Sequence, residues 1–206
     1  MADKCMVIGL GKIGIGYDLD LYPEKAVYTH ARAFSIHPEF ELVSAVDPAE
    51  TQRDLFKQHY GKTAYPTIAS ALQAQKSSVV VIASPTAQHN FILKEILAHL
   101  TPKLILCEKP LAYDLDEARE MVEACESAGV KLFVNYMRRA DPGAIEIKAR
   151  IESGQIAKPI KGVAWYSKGF LHNGSHFFNL LEFWLGSFIK AKIIDAGRLW
   201  DNQDPE

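Results

Sequence analysis

The chain has 206 residues, with 23 Lys and Arg against 25 Asp and Glu and a formal net charge of −2. That balance excludes a dedicated nucleic-acid binder, whose phosphate contacts need a basic excess. With 48% hydrophobic and 23% charged residues, the composition is that of a folded domain and not of an acidic disordered tail.

The elements follow in chain order. Lys4 to Gly9 reads as a short buried strand running into glycines. Tyr28 to His37 has a helical pattern, Glu41 to Asp47 a strand pattern, and Pro48 to Tyr60 and Thr67 to Gln75 helical patterns. Ser78 to Ala83 is a continuous apolar run, as in a strand covered on both faces. Ala87 to Leu100 is helical, Lys103 to Glu108 a strand, Leu115 to Ala128 a helix and Val130 to Asn135 a strand. This alternation predicts an α/β protein with a doubly wound, Rossmann-like parallel sheet. Beyond it, Asp141 to Ser153 predicts a helix with Pro142 in its first turn, and Pro159 to Lys168 alternates like a half-exposed strand. Ser175 to Leu185 is a very apolar helix, and Lys190 to Trp200 reads as another strand. The expected division is residues 1–137 as a nucleotide-binding domain and residues 138–206 as an incomplete second α/β domain. Two strands do not make a stable sheet on their own, so an exposed edge and a homo-oligomer are expected.

Three cysteines, Cys5, Cys107 and Cys125, lie in or beside apolar stretches, with no Cys-x-x-Cys. They read as buried free thiols of a reducing compartment. The longest uncharged run, Ser77 to Leu93, holds Pro85, Gln88, His89 and Asn90, which argues against a membrane span. The opening residues lead straight into a strand without the layout of a secretion signal, so the cytoplasm is expected. No His, Cys and Asp cluster has metal-ligand spacing, and no metal is expected.

Gly9-Leu10-Gly11-Lys12-Ile13-Gly14 is a Gly-x-Gly-x-x-Gly directly after the first strand. Gly9 permits the tight turn, Gly11 lets the backbone approach a pyrophosphate, and Gly14 allows close packing of the next segment. A P-loop is excluded, because no Gly-Lys-Ser/Thr closes the motif. Asp47, at the end of the second strand, is placed to accept hydrogen bonds from an adenosine ribose, which favours NAD over NADP. Arg53 complicates that preference, and the alternative for Asp47 is a helix cap. Ile15 to Val27 is longer than a Rossmann turn needs and either folds over the cofactor or is a surface excursion. Ser84-Pro85-Thr86 with His89, Glu108-Lys109-Pro110 and Asn135 to Arg139 all follow strands, where open α/β sheets place ligands.

These segments, with Cys107-Glu108-Lys109-Pro110-Leu111-Ala112, Asn135 to Gly143 and Gly174-Ser175-His176, run in the order of a known family. The chain resembles the Gfo/Idh/MocA oxidoreductases, among them inositol dehydrogenases and glucose–fructose oxidoreductase. The resemblance implies hydride transfer between NAD, or NADP, and a hydroxyl or carbonyl carbon of a sugar or polyol. It implies cofactor contacts from Gly9, Gly11, Lys12, Ile13, Gly14, Asp47, Ser84, Pro85, Thr86, His89, Glu108 and Lys109. It makes Lys109, His176 and His172 the catalytic candidates, with Tyr136, Arg138, Arg139 and Asn173 on the substrate side and Lys109-Pro110 a candidate cis bond. The family's Asp-x-Gly-x-His-x-x-Asp reads here His172 to Asn179, so both carboxylates are absent. An alternative is therefore a non-catalytic protein that binds NAD(P) and a sugar as a sensor or a partner-binding protein. His89 has a helix-packing alternative, and His30, His37, His59 and His99 read as surface residues of helices.

Overall fold

The computed structural model describes residues 2–22, 27–192, 194–195, 197–200 and 204. The chain packs as two compact units, Met1–Asn135 and Tyr136–Glu206.

The first unit is built on six strands: β1 (Asp3–Ile8), β2 (Phe40–Val46), β3 (Thr63–Tyr65), β4 (Val79–Ile82), β5 (Leu104–Cys107) and β6 (Lys131–Val134). Their order in the sheet is β3-β2-β1-β4-β5-β6, and every pairing is parallel. Between them run α1 (His30–Ile36), α2 (Glu50–Tyr60), α3 (Ile68–Ala74), α4 (His89–His99) and α5 (Leu115–Ser127). The pattern dictates the layering. Met6, Ile8, Val80 and Ile82 enter one apolar cluster, while Cys5, Val7, Val79 and Val81 enter the other. Successive side chains of a strand alternate between faces, so an unbroken apolar run fills both cores at once. Leu93, Ile96 and Met121 cover the first face, and Phe56, Ala31 and Ile15 the second. All three cysteines are buried and unbridged, and burial pushes the Cys5 and Cys107 thiols up.

Side chains fix several helix starts. Thr29 caps α1, Thr67 caps α3, and Asp114 accepts hydrogen bonds from the Asp116 and Glu117 N–H groups at the head of α5. β3 was not visible in the pattern: three residues on a sheet edge give too short a period to read. The order reverses between β1 and β4, so the connections that leave their carboxyl ends run to opposite faces of the sheet and leave a crevice above it.

The excursion after the glycine loop is closed at its base. Buried Asp18 accepts the N–H groups of Tyr28 at 2.7 Å and Thr29 at 2.9 Å, and the Thr29 hydroxyl at 2.7 Å. Arg32 lies 3.8 Å from the same carboxylate and donates to the Leu21 carbonyl. The chain thus leaves and re-enters the fold at one point, and α1 packs as a Rossmann helix despite the extra length. Residues 23–26 of the expected insertion lie outside the described residues.

In the second unit, α6 (Pro142–Glu152) and α7 (Ser175–Leu185) form as expected, and Asp141 caps α6 through the Gly143 and Ala144 N–H groups. The Trp184 indole donates to the Ala144 carbonyl at 2.8 Å and ties the two helices together. The two expected strands do not form. Residues 160–168 run without a ladder and are exposed from 161 to 168. The described residues of 190–200 hold only an isolated bridge at Leu199, and Ile193 and Ala196 lie outside them. A strand pattern without a partner cannot satisfy its backbone groups in a ladder.

Candidate functional site

The first unit carries a cleft of ≈560 Å³ at the carboxyl edge of its sheet, lined by Gly9, Gly11, Asp47, Pro48, Thr67, Ser84, Pro85 and Gln88 among others. The glycines earn their places sterically. Gly9 has φ +96°, and a Cβ there would stand 2.7 Å from the backbone of Ala83 and Ser84. A Cβ on Gly14 would overlap the Gly9 carbonyl oxygen, whereas one on Gly11 would meet nothing within 4 Å. Gly9 and Gly14 close the turn, and Gly11 keeps its outer side open. Lys12 to Gly16 then form one wide turn, in which Gly16 N–H reaches back to Gly11 O at 3.1 Å and Tyr17 N–H to Lys12 O at 2.9 Å. Its leading N–H groups have no carbonyl a turn earlier to bond, as at any helix start, and suit an anion.

Asp47 does two things. Its Oδ2 accepts Leu10 N–H at 2.8 Å, clamping the glycine loop to the end of β2, and its Oδ1 accepts Ala49 N–H at 2.9 Å. Each oxygen keeps a further lone pair for a ligand hydroxyl. Arg53 donates to the Asp47 and Pro48 carbonyls, at 2.9 and 2.7 Å, and braces the same corner. On the opposite wall, Ser84 Oγ is buried and has no hydrogen-bond partner among the described residues. An open glycine, an acceptor carboxylate and an unsatisfied hydroxyl around one cleft fit a dinucleotide. His89 does not line it. Its ring is buried, with Nδ1 3.1 Å from Leu111 O and Nε2 2.9 Å from Ser84 O, so it staples two loops together. The helix-packing alternative describes its position.

The ends of β5 and β6 hold a second cluster. Glu108 Oε1 lies 2.8 Å from His30 Nε2 and accepts Asn135 Nδ2 at 2.7 Å, and Oε2 accepts the Lys109 N–H at 3.3 Å. Burial alone would raise the Glu108 pKa. The bonds from His30 and Asn135, the His30 charge and the Lys109 N–H outweigh it and hold the carboxyl below its ordinary value. Lys109 follows directly, with its bond to Pro110 cis. His30 was expected on the surface and is buried instead. Its partner is 78 residues away, and no local pattern announces such a pair. His37, His59 and His99 are exposed, as expected.

The second unit gathers the remaining candidates. His176 is buried with its ring edge-on to Tyr136, centroids 5.7 Å apart. Arg139 donates to Asn179 Oδ1 at 2.5 Å and lies 3.5 Å from Glu182, so it is bound to α7. Arg138 sits over the Phe177 ring at 5.3 Å, and the Asn173 amide donates to the Ser167 carbonyl at 2.7 Å. Both arginines and Asn173 are thus held by the protein itself. His172 Nδ1 lies 2.6 Å from Asp204 Oδ2, a partner not foreseen from the sequence. Among the described residues, no group of three His, Cys, Asp or Glu side chains is arranged to hold a metal, and no helix is long and apolar enough to cross a membrane.

Residues 4–136 match the family GFO_IDH_MocA, described as an oxidoreductase family with an NAD-binding Rossmann fold. The chain is 30% identical over 199 residues to scyllo-inositol 2-dehydrogenase (NAD(+)) of Bacillus subtilis, covering 93% of this chain and 51% of that protein. It is 30% identical over 168 residues to inositol 2-dehydrogenase of Rubrobacter xylanophilus, covering 81% of this chain and 46% of that protein. Among solved structures, the WlbA dehydrogenase of Bordetella pertussis, in complex with NADH and UDP-GlcNAcA, superposes with a TM-score of 0.72 at 21% identity, over 90% of this chain and 59% of that one. Myo-inositol 2-dehydrogenase from Lactobacillus plantarum gives 0.72 at 23% identity, over 90% and 57%. The chain spans about half the length of the curated relatives it matches. With its glycine loop, parallel sheet and family match in register, the chain belongs to the Gfo/Idh/MocA oxidoreductase family and carries that family's NAD-binding Rossmann fold.

Proposed function

We propose that the protein is a cytoplasmic NAD-dependent dehydrogenase of a polyol or sugar-like alcohol. The observation that carries the reading is the cleft above the carboxyl ends of β1, β2 and β4, with Gly11 open, Asp47 on one wall and the Ser84 hydroxyl on the other. Gly9 to Gly14 would hold the pyrophosphate, Asp47 the adenosine ribose, and Ser84, Pro85 and Thr86 the continuation of the cofactor. A carboxylate at position 47 repels a 2′-phosphate, so NAD is preferred over NADP. NAD held there by Gly9 to Gly14, Asp47 and Ser84 would supply the hydride acceptor, and NADH the donor. Lys109 donates a hydrogen bond to the reacting oxygen, braced by the His30–Glu108–Asn135 cluster, and His172 or His176 exchanges the proton. Tyr136 and Arg138 face the substrate in this reading, while Arg139 and Asn173 support the loop that carries it. Inositol-like substrates are the first to test, because the relatives include inositol dehydrogenases.

Exposed Val163, Trp165 and Ile189 on the second unit favour association of copies, so the chain is proposed to be a homo-oligomer. The second unit is read as the substrate and assembly half. A sensor that binds NAD and a polyol without turnover is the second reading, favoured by Asn179 spending its amide on Arg139 where the family pattern has a carboxylate.

The test is NADH formation by the 206-residue chain with NAD and a panel of inositols and sugar alcohols. Turnover that falls about a hundredfold or more in Lys109→Ala supports the enzyme. Turnover unchanged by that substitution overturns the mechanism. NADH binding without turnover on any of the panel moves the protein to the sensor reading.

A further inference from the structure

The motif at 172–179 lacks both carboxylates of the family pattern, yet the second unit brings a carboxylate to it from elsewhere. Lys168 and Gly169 both take positive φ, +67° and +83°. The backbone turns there so that two successive N–H groups point into one hollow. Asp204 fills it: Oδ1 accepts Leu171 N–H at 2.6 Å, and Oδ2 accepts His172 N–H at 2.8 Å while lying 2.6 Å from His172 Nδ1. A Cβ on residue 169 would overlap that carboxylate, so glycine at this position is what admits it. Asp204 is buried, and burial alone would raise its pKa, but the two N–H donors and the His172 ring outweigh this and keep it ionised. The Asn173 and Gly174 N–H groups both return to the Gly169 carbonyl, and the Ser175 hydroxyl donates to Leu171 O at 2.6 Å. The imidazole is therefore held at its Nδ1 edge from a rigid turn. A third of its side chain, 33%, remains exposed, while His176 is buried against Tyr136.

We propose that Asp204 is a positioning residue for His172, and that this pair, rather than His176, exchanges the proton of the substrate hydroxyl. The inference rests on the dehydrogenase reading and deepens it. With Nδ1–H donated to Asp204, the neutral ring has its lone pair on Nε2. In the oxidising direction, the substrate O–H bond breaks as Nε2–H forms. The hydrogen on carbon leaves as hydride to the cofactor, and the C–O bond becomes C=O. The imidazolium is stabilised by ionised Asp204, which takes up no proton itself. One His–Asp pair thus stands in for the carboxylate that the motif has lost at position 172.

The test reads the tautomer directly. In the ¹⁵N-labelled 206-residue chain, long-range proton–nitrogen spectra report which ring nitrogen of neutral His172 carries the proton, and His172→Gln assigns the signals. The expected result is protonated Nδ1 in the native chain and a shift of the proton to Nε2 in Asp204→Ala. Gly169→Ala keeps the carboxylate in the chain but denies it the hollow, and the same shift is expected with the far-ultraviolet dichroism retained. A native proton on Nε2, or a tautomer that neither variant changes, overturns the inference. In turnover, Asp204→Ala is expected to lower kcat about tenfold or more with KM nearly constant, and Asp204→Glu to recover part of it. An unchanged kcat overturns the role as well. NADH formation by the native chain with the polyol panel decides the dehydrogenase reading separately, and NADH titration of the same samples decides the cofactor site, since Asp204 and His172 are not among the residues assigned to the cofactor.

Discussion

β4 is paired on both sides and covered on both faces, whereas residues 161–168 are exposed and belong to no ladder. Both are rich in residues that favour extended backbone. The difference lies in neighbours. Val79 to Ile82 find ladders with β1 and β5 and cores above and below, and every residue of the strand is buried. Val163 and Trp165 find neither, and the Trp165 side chain is 87% exposed. A strand is a property of a set of segments, and a set with too few members leaves its apolar side chains in water.

That contrast can be broken or sharpened by substitution. The largest effect is expected in the first unit. Phe56 is fully buried between α2 and the sheet, and Phe56→Ala is expected to lower unfolding stability by about 3–5 kcal/mol in denaturant titration. A much smaller loss would mean that the two-layer core is looser than its burial implies. Asp18→Ala strips the base of the excursion of its acceptor and removes the carboxylate that lies 3.8 Å from buried Arg32, at an expected cost of about 3 kcal/mol. His30→Ala removes one donor from buried Glu108 and should cost about 1–3 kcal/mol by the same measurement.

Glu108 also sets a pH dependence. Its folded pKa lies below the unfolded 4.5, so the stability it adds is fully present above that value and is lost as pH falls through the folded pKa. Acid titration of unfolding should show this loss, and His30→Gln should make it shallower. An identical acid limb in that variant would contradict the proposed bracing. The smallest effect belongs to the second unit: Trp165→Ser is expected to change stability within about 0.5 kcal/mol while lowering self-association in light scattering.

The first unit was legible because its signals are local. The alternating apolar runs, the glycine spacing and Asp47 each declare themselves within a few residues of sequence. What escaped is what long-range contact decides. His30 looks like one more helix residue until the chain brings Glu108 to it. The bonds from Arg139 to Asn179 and Glu182 likewise span some forty residues and leave no local pattern. Asp204 is invisible as a partner of His172 because 32 residues and a backbone turn at Gly169 intervene. The two expected strands of the second unit failed for the opposite reason: their pattern was real, and among the described residues no strand forms a ladder with them.

The cleft above the carboxyl ends of β1, β2 and β4 is proposed to be a nicotinamide dinucleotide site. Calorimetric titration of the 206-residue chain with NADH and NADPH tests it most directly. Saturable binding of NADH, weaker binding of NADPH, and loss of both in Gly11→Val are expected, because the Cβ at this position meets nothing within 4 Å and the added side chain occupies the open side of the loop. No binding of either nucleotide, or NADH binding that survives Gly11→Val intact, would contradict it.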